Sequence, residues 1–320
     1  MNVINSGGWF VGNTAVLDWM DGFEEFSFIK GDFHISRLES GIMDMIATQN
    51  FEKKNEMISK NKVDCYLGAY KIVRNVVGRY TKNMFKSRQE PAYFLRPAYY
   101  RFFYKALCTY ERNISSNDFD EVSFWRLWLN ELASRLSAKG NFQYSVFQNP
   151  FFYDEMFDEH SDLWPKLFAP FKLVFVHRDP LDQFADIVLS GSHLDTSSPR
   201  FHGGTEHLHP ADRFLEISKK IYKARLKIAS ETSTDDLIVF SFEDFLLNHD
   251  RVTSRICDFF KISTARDQNN RRFELNKSLK NIGNGKDNEI VSELLDGKDY
   301  VVRELEVWRE RLSSLPHSIA

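Results

Sequence analysis

Val3-Ile4-Asn5-Ser6-Gly7-Gly8-Trp9-Phe10-Val11-Gly12-Asn13-Thr14-Ala15-Val16-Leu17 is the stretch on which the fold turns. An apolar opening, a glycine-bearing segment and a run of apolar and helix-tolerant residues predict a short strand, a loop and the start of a helix. Such a loop aims several backbone N–H groups at one point ahead of a helix N-terminus, where the partial positive charge of the helix favours an anion. Gly7, Gly12, Asn13 and Thr14 match the phosphate-loop spacing G-x-x-x-x-G-K-[ST] at every fixed position except the lysine, which is Asn13. Two readings stand at this point: a phosphate cradle, and a glycine-rich turn before an ordinary helix.

Outward from this stretch, residues 14–20 have helical character and Asp21-Gly22 ends it. Residues 24–30 alternate as a second strand, with Phe26 and Phe28 on one face. Gly31-Asp32-Phe33-His34-Ile35-Ser36-Arg37 follows, a polar cluster at the C-terminal end of a strand, where open α/β sheets bind ligands. Asp32, His34 and Arg37 are therefore candidate site residues, or else caps of the helix that begins near Ser40-Gly41 and carries Ile42, Met45 and Ile46. From about 50 to 140 the apolar residues recur at three and four, among them Tyr66, Tyr70, Val73, Phe103, Leu107, Phe124, Leu127, Trp128 and Leu132. That period predicts a helical insertion, interrupted between Pro91 and Pro97. Its aromatic stripe, Tyr99-Tyr100 and Phe102-Phe103-Tyr104, reads as core before it reads as an acceptor pocket.

Residues 144–147 form the third predicted strand, and 172–177 (KLVFVH) the clearest one, an apolar run of the kind buried in a parallel sheet. It ends in His177-Arg178-Asp179-Pro180, with Asp179 suited to cap the next helix, residues 181–189, and Pro180 to open it. Arg178 thus stands at a strand-to-helix corner, where it can grip a phosphate bidentately or pair with an acid such as Asp182. Residues 190–210 are a long polar loop holding His193, His202, His207 and His209, whose spacing fits no zinc pattern. A helix over 211–229 leads to the fifth strand, 236–242, then a helix over 249–260. Asn276-Lys277-Ser278-Leu279-Lys280-Asn281-Ile282-Gly283-Asn284-Gly285-Lys286 is a lysine- and glycine-rich turn able to wrap an anion, and one helix over 287–312 closes the chain. The alternation predicts an α/β fold with a central parallel sheet of about five strands and helices on both faces, which with the near match to the phosphate-loop spacing reads as a P-loop-NTPase-like three-layer sandwich. All 320 residues are read as a single domain with the helical insertion at about 50–140.

A net charge of −3 speaks against nucleic acid as a partner and does not specify an oligomeric state. Three cysteines without a C-x-x-C pair predict reduced thiols. With the first strand starting almost at Met1 and no apolar run of membrane length, the expectation is a cytoplasmic protein without a transmembrane segment.

Three anion-friendly stretches therefore lie on successive ligand-edge loops: Gly7 to Thr14, Arg178, and Lys280 to Lys286. With SGGWFVGNTAVLDWM, KLVFVHRDPLDQFADIV, DDLIVFSFEDFLLNHDRVTSRICDFFKI and FELNKSLKNIGNG, the chain resembles the PAPS-dependent sulfotransferases, and among them bacterial carbohydrate-type members. The resemblance covers the sheet and not the helical insertion. It implies a sulfonyl donor, 3′-phosphoadenosine 5′-phosphosulfate (PAPS), with adenosine 3′,5′-bisphosphate (PAP) as product, no required metal, and a hydroxylated acceptor such as a glycan, glycolipid or small molecule. It further implies a 5′-phosphosulfate loop at Gly8, Phe10, Val11, Gly12, Asn13, Thr14 and Ala15, and a 3′-phosphate arginine at Arg178. The family's serine eight residues after that arginine falls on Asp186, with Ser190 one turn on as its possible replacement. The nucleotide-closing turn maps onto Lys280, Asn281 and Gly283. The catalytic base maps onto Asp32, with His34 as the other candidate. Phe10 stands where the family carries a lysine or arginine, so another cation such as Arg37 must offset the charge. A P-loop kinase or NTPase, and a nucleotide- or glycan-binding relative without catalysis, are the rival expectations.

Overall fold

The computed structural model describes residues 1–7, 11–32, 41–82, 97–136, 142–148, 160, 162–191, 205, 207–263, 273–286 and 288–319. Within them run β1 (Asn2–Gly7), α1 (Asn13–Met20), β2 (Phe26–Asp32), α2 (Ile42–Ala47), α3 (Phe51–Lys82), α4 (Pro97–Asn113), α5 (Glu121–Leu136) and β3 (Tyr144–Gln148). There follow α6 (Trp164–Phe168), β4 (Phe171–His177), α7 (Pro180–Leu189), α8 (Pro210–Glu231), β5 (Leu237–Ser241), α9 (Phe242–Leu247) and α10 (His249–Phe260). The last are α11 (Leu275–Leu279), α12 (Glu289–Leu295) and α13 (Asp299–Ser313). The five described strands form one all-parallel sheet in the order β2-β3-β1-β4-β5, as the α/β reading requires. The strand that leads into the glycine loop is its central one.

By its internal contacts the chain divides into two compact units. The first comprises Met1–Ile4, Ser27–Phe151 and Glu159–Phe171. It holds α3, α4 and α5, and its core is aromatic: Tyr99, Phe103, Tyr110 and Trp125 are all buried. Trp125 and Trp128 meet edge to face at 5.5 Å, an arrangement aromatic quadrupoles favour. Beside this core Lys54 places Nζ at 2.7 and 2.9 Å from the two carboxylate oxygens of Glu121, which also accepts the Tyr110 hydroxyl. His160 Nε2 lies 3.0 Å from Asp44 Oδ1. Tyr66 and Leu127 of the apolar period face water instead, at 75% and 66% exposed.

The second unit comprises Asn5–Phe26, Phe152–Asp158 and Lys172–Ala320. β4 and β5 pair in parallel from Leu173↔Leu237 to His177↔Ser241. Every residue of β5, and all of β4 after its first, is buried, which is why these strands read as unbroken apolar runs. β5 would be a bare edge strand, but the C-terminal segment covers it: Val239 N donates to His317 O at 3.0 Å and Ile319 N to Val239 O at 2.8 Å. Trp19 of α1 packs edge to face on Phe23 and Phe245, and Phe26 on Phe260. Arg225 of α8 donates to Val176 O in β4 at 2.9 Å.

Some boundaries differ from the sequence reading. β2 starts two residues later than expected and runs through Gly31 to Asp32. Both Phe26 and Ser27 are buried in it, so alternation is a poor guide there. The closing helix is two helices, α12 and α13, because Gly297 adopts φ +68 and breaks the run. The short α9 follows β5 without a gap, started by the Ser241 hydroxyl accepting from Asp244 N.

Candidate functional site

Apart from Asp32, which ends β2 in the first unit, the described candidate residues lie in the second unit. α1 begins at Gly12, whose backbone is left-handed (φ 86, ψ 11) and whose carbonyl accepts from Ala15 N at 3.0 Å. A Cβ at Gly12 would stand 2.2 Å from the Phe242 ring, so only glycine lets the chain turn here against that ring. No side chain caps α1 and no acid occupies its first turn, which leaves the positive end of the helix dipole unopposed by its own residues. Val11 and Asn13 are buried, Ala15 half-buried, and Thr14 exposed. Asn13 therefore does not substitute for an extended lysine, whereas Thr14 is accessible to a ligand.

Arg178 follows β4 and is 2% exposed. Its guanidinium lies over the Phe242 ring at 5.2 Å, donates from one nitrogen to Asp186 Oδ2 at 2.5 Å, and from another to Asn281 O at 2.6 Å. The pairing acid is thus Asp186, further along α7, and not Asp182. Asp182 instead holds the late turn, its two oxygens accepting the N–H groups of Gly283 (2.7 Å) and Gly285 (3.0 Å). Gly285 is pressed onto Leu181, where a Cβ would stand 2.6 Å from Cγ and 2.8 Å from the carbonyl oxygen. These contacts fix the turn on the first turn of α7, with Gly283 left-handed at φ +83 and Lys280, Asn281 and Lys286 exposed.

The corner itself is tied by hydrogen bonds. Asp179 caps α7 by accepting from Leu181 N and Asp182 N, with Pro180 in the first turn as expected. Glu243 accepts from Asp179 N at 3.0 Å, and burial pushes its carboxyl pKa up. His177, the last residue of β4, is held neutral: burial and then Arg309 and Arg225 push its imidazole down to about 3. Ser190, the C-cap of α7, donates its hydroxyl to Ile187 O at 3.0 Å. His209 accepts from Ala211 N as the cap of α8. Among the described residues no three His, Cys, Asp or Glu side chains gather to hold a metal. Burial raises the Cys65 and Cys257 thiols to about 12 and about 11, so neither is a ready nucleophile.

Gly12, Arg178 and the 280–285 turn, distant in sequence, are therefore drawn together around Phe242 and Asp182. Gly8, Phe10, His34 and Arg37 lie outside the described residues, as do His193 and His202; Asp32 is the last residue of β2. Sequence reasoning missed Phe242 and gave Asp182 only as a partner for Arg178. Phe242 sits in an ordinary apolar run, and Asp182 reads as a first-turn helix acid; only the fold puts it against residues 101 and 103 positions away.

No family model matches the chain, and no curated protein matches it. Among solved structures it is similar to the sulfotransferase domain from the curacin biosynthetic pathway, with 14% identity, TM-score 0.44, and 83% of this chain and 75% of that one covered. It is similar to the sulfotransferase domain of the Synechococcus PCC 7002 olefin synthase, with 11% identity, TM-score 0.44, and 83% and 74% covered. It is similar to sulfotransferase STF9 from Mycobacterium avium, with 10% identity, TM-score 0.41, and 92% and 75% covered. At these TM-scores the likenesses bear no weight for the chemistry, which rests on the chain's own residues.

Proposed function

We propose that this chain is a sulfotransferase that moves a sulfonyl group from a 5′-phosphosulfate nucleotide to a hydroxyl of a glycan, glycolipid or small-molecule acceptor. The observation that carries the reading is the Phe242 ring, which lies against Gly12 at the head of α1 and under Arg178, itself tied to Asn281. It unites three stretches that the sequence marks as anion-friendly. PAPS is the donor that the family resemblance implies. The 5′ end of such a nucleotide suits an uncapped helix head with an accessible Thr14. Its 3′ end is another matter, because the Arg178 fork already holds a carboxylate.

A 5′-phosphosulfate supplies an activated sulfur: one bond forms to it from the acceptor oxygen as the bond to the phosphate oxygen breaks. Asp32 or His34 takes the proton of the acceptor hydroxyl, a role worth roughly two to four orders of magnitude in rate. Amides at the head of α1 and the Thr14 hydroxyl meet the charge that develops on the departing phosphate, with Arg37 and Lys280 supplying cations. Asp32→Asn is expected to abolish sulfonyl transfer, followed by mass spectrometry of the acceptor, while nucleotide binding persists. Near-normal turnover removes Asp32 from the role. Stabilisation and phosphoryl transfer with ATP and Mg²⁺, and none with phosphosulfate nucleotides, would replace this reading by the kinase one.

A further inference from the structure

We infer that Asp186 makes the nucleotide site select a ribose with a free 3′-hydroxyl over a 3′-phosphorylated one, an inference that rests on the nucleotide reading above. Arg178 is the one described cation buried at this corner, and its two terminal nitrogens are both engaged, one by Asp186 Oδ2 at 2.5 Å and one by Asn281 O at 2.6 Å. The carboxylate thus takes the position on the guanidinium fork that a phosphate oxygen would need. Two neighbouring amide donors are engaged as well, since Asp182 accepts the N–H groups of Gly283 and Gly285. A phosphate entering here would displace Asp186 and remain within a few ångströms of its charge, and like charges at that distance repel strongly in a partly buried place.

A hydroxyl meets the opposite situation. Asp186 keeps 23% of its side chain exposed, and among the described residues only its Oδ2 is hydrogen-bonded. Oδ1 is left to accept from a ribose O–H, with the Arg178 hydrogen bond holding the carboxylate in place. The same exchange separates nucleotide sites in dinucleotide-binding folds, where an acid reads a ribose hydroxyl and an arginine reads the phosphate that replaces it. The substrate class is accordingly a nucleoside 5′-phosphosulfate, and the product a nucleoside 5′-monophosphate.

Titration calorimetry of the full chain with 5′-AMP and with adenosine 3′,5′-bisphosphate, which differ by the 3′-phosphate alone, tests this. The wild type is expected to bind 5′-AMP at least as tightly as the bisphosphate. Asp186→Asn, which keeps the shape and removes the charge, is expected to shift the ratio of the two affinities at least tenfold towards the bisphosphate, about 1.4 kcal/mol. Asp186→Ser provides the same readout if the asparagine variant does not fold. A wild type that binds the bisphosphate tenfold better than 5′-AMP overturns the inference and leaves the nucleotide site intact. An unchanged ratio in a folded variant also overturns it. Binding of neither ligand overturns the nucleotide reading as well.

Discussion

Gly12→Ala probes the junction on which the site is built. Two costs add. An alanine at φ +86 must occupy left-handed backbone, worth about 1–2 kcal/mol. Its methyl would fall 2.2 Å from Phe242 Cδ2, and the ring is 2% exposed, so it cannot swing out to solvent. Forcing a methyl into packed core costs about 1–3 kcal/mol. The sum, roughly 2–5 kcal/mol, is a large share of the ~5–15 kcal/mol by which a domain is usually stable. Urea unfolding at 25 °C, followed by far-UV circular dichroism and by tryptophan fluorescence, measures it, with coincidence of the two probes testing for a single transition. Phe242→Leu serves as the second arm of a cycle: with the ring gone, Gly12→Ala should cost only the backbone part, about 1–2 kcal/mol. A Gly12→Ala variant within about 0.5 kcal/mol of wild type, or an equal cost with and without the ring, refutes the reasoning.

Asp182→Ala should release the late turn. Removing an acceptor shared by two amides costs on the order of 2–4 kcal/mol, and hydrogen exchange at Gly283 and Gly285 should quicken while the β4 amides stay protected. Unchanged exchange at those glycines counts against the clamp. The buried His177 sets a pH dependence whose sign follows from its lowered pKa. Unfolded, the imidazole binds a proton near 6.5; folded, only near about 3. Between these values the unfolded state binds more protons, so stability falls as pH drops from about 6.5 towards 3, by up to ~1.4 kcal/mol per pH unit. His177→Gln should flatten that slope in urea midpoints measured from about pH 7 to pH 5, and an unchanged slope assigns it to other groups.

The elements that carry the fold were legible because their signals are local. An unbroken apolar run marks β4, Asp179-Pro180 marks the start of α7, and three-four periodicity marks α3, α4 and α5. Where periodicity misled, as at Tyr66 and Leu127, it reported a repeat without reporting which positions of a helix have neighbours. The split of the closing helix at Gly297 shows the same limit in reverse, since one residue at positive φ outweighs a continuing pattern.

At the site, residue chemistry alone determined which stretches favour an anion: the glycines before α1, Arg178 after β4, and the lysine-rich turn near the C-terminus. Only the tertiary structure decided what those groups are bonded to. Asp186, eight residues from Arg178, and Asn281, 103 residues away, fill its fork; Asp182 holds the turn; Phe242 fixes Gly12. A sequence lists donors and acceptors, but whether a buried cation meets a ligand or a carboxylate of its own chain depends on distances of a few ångströms that only folding sets.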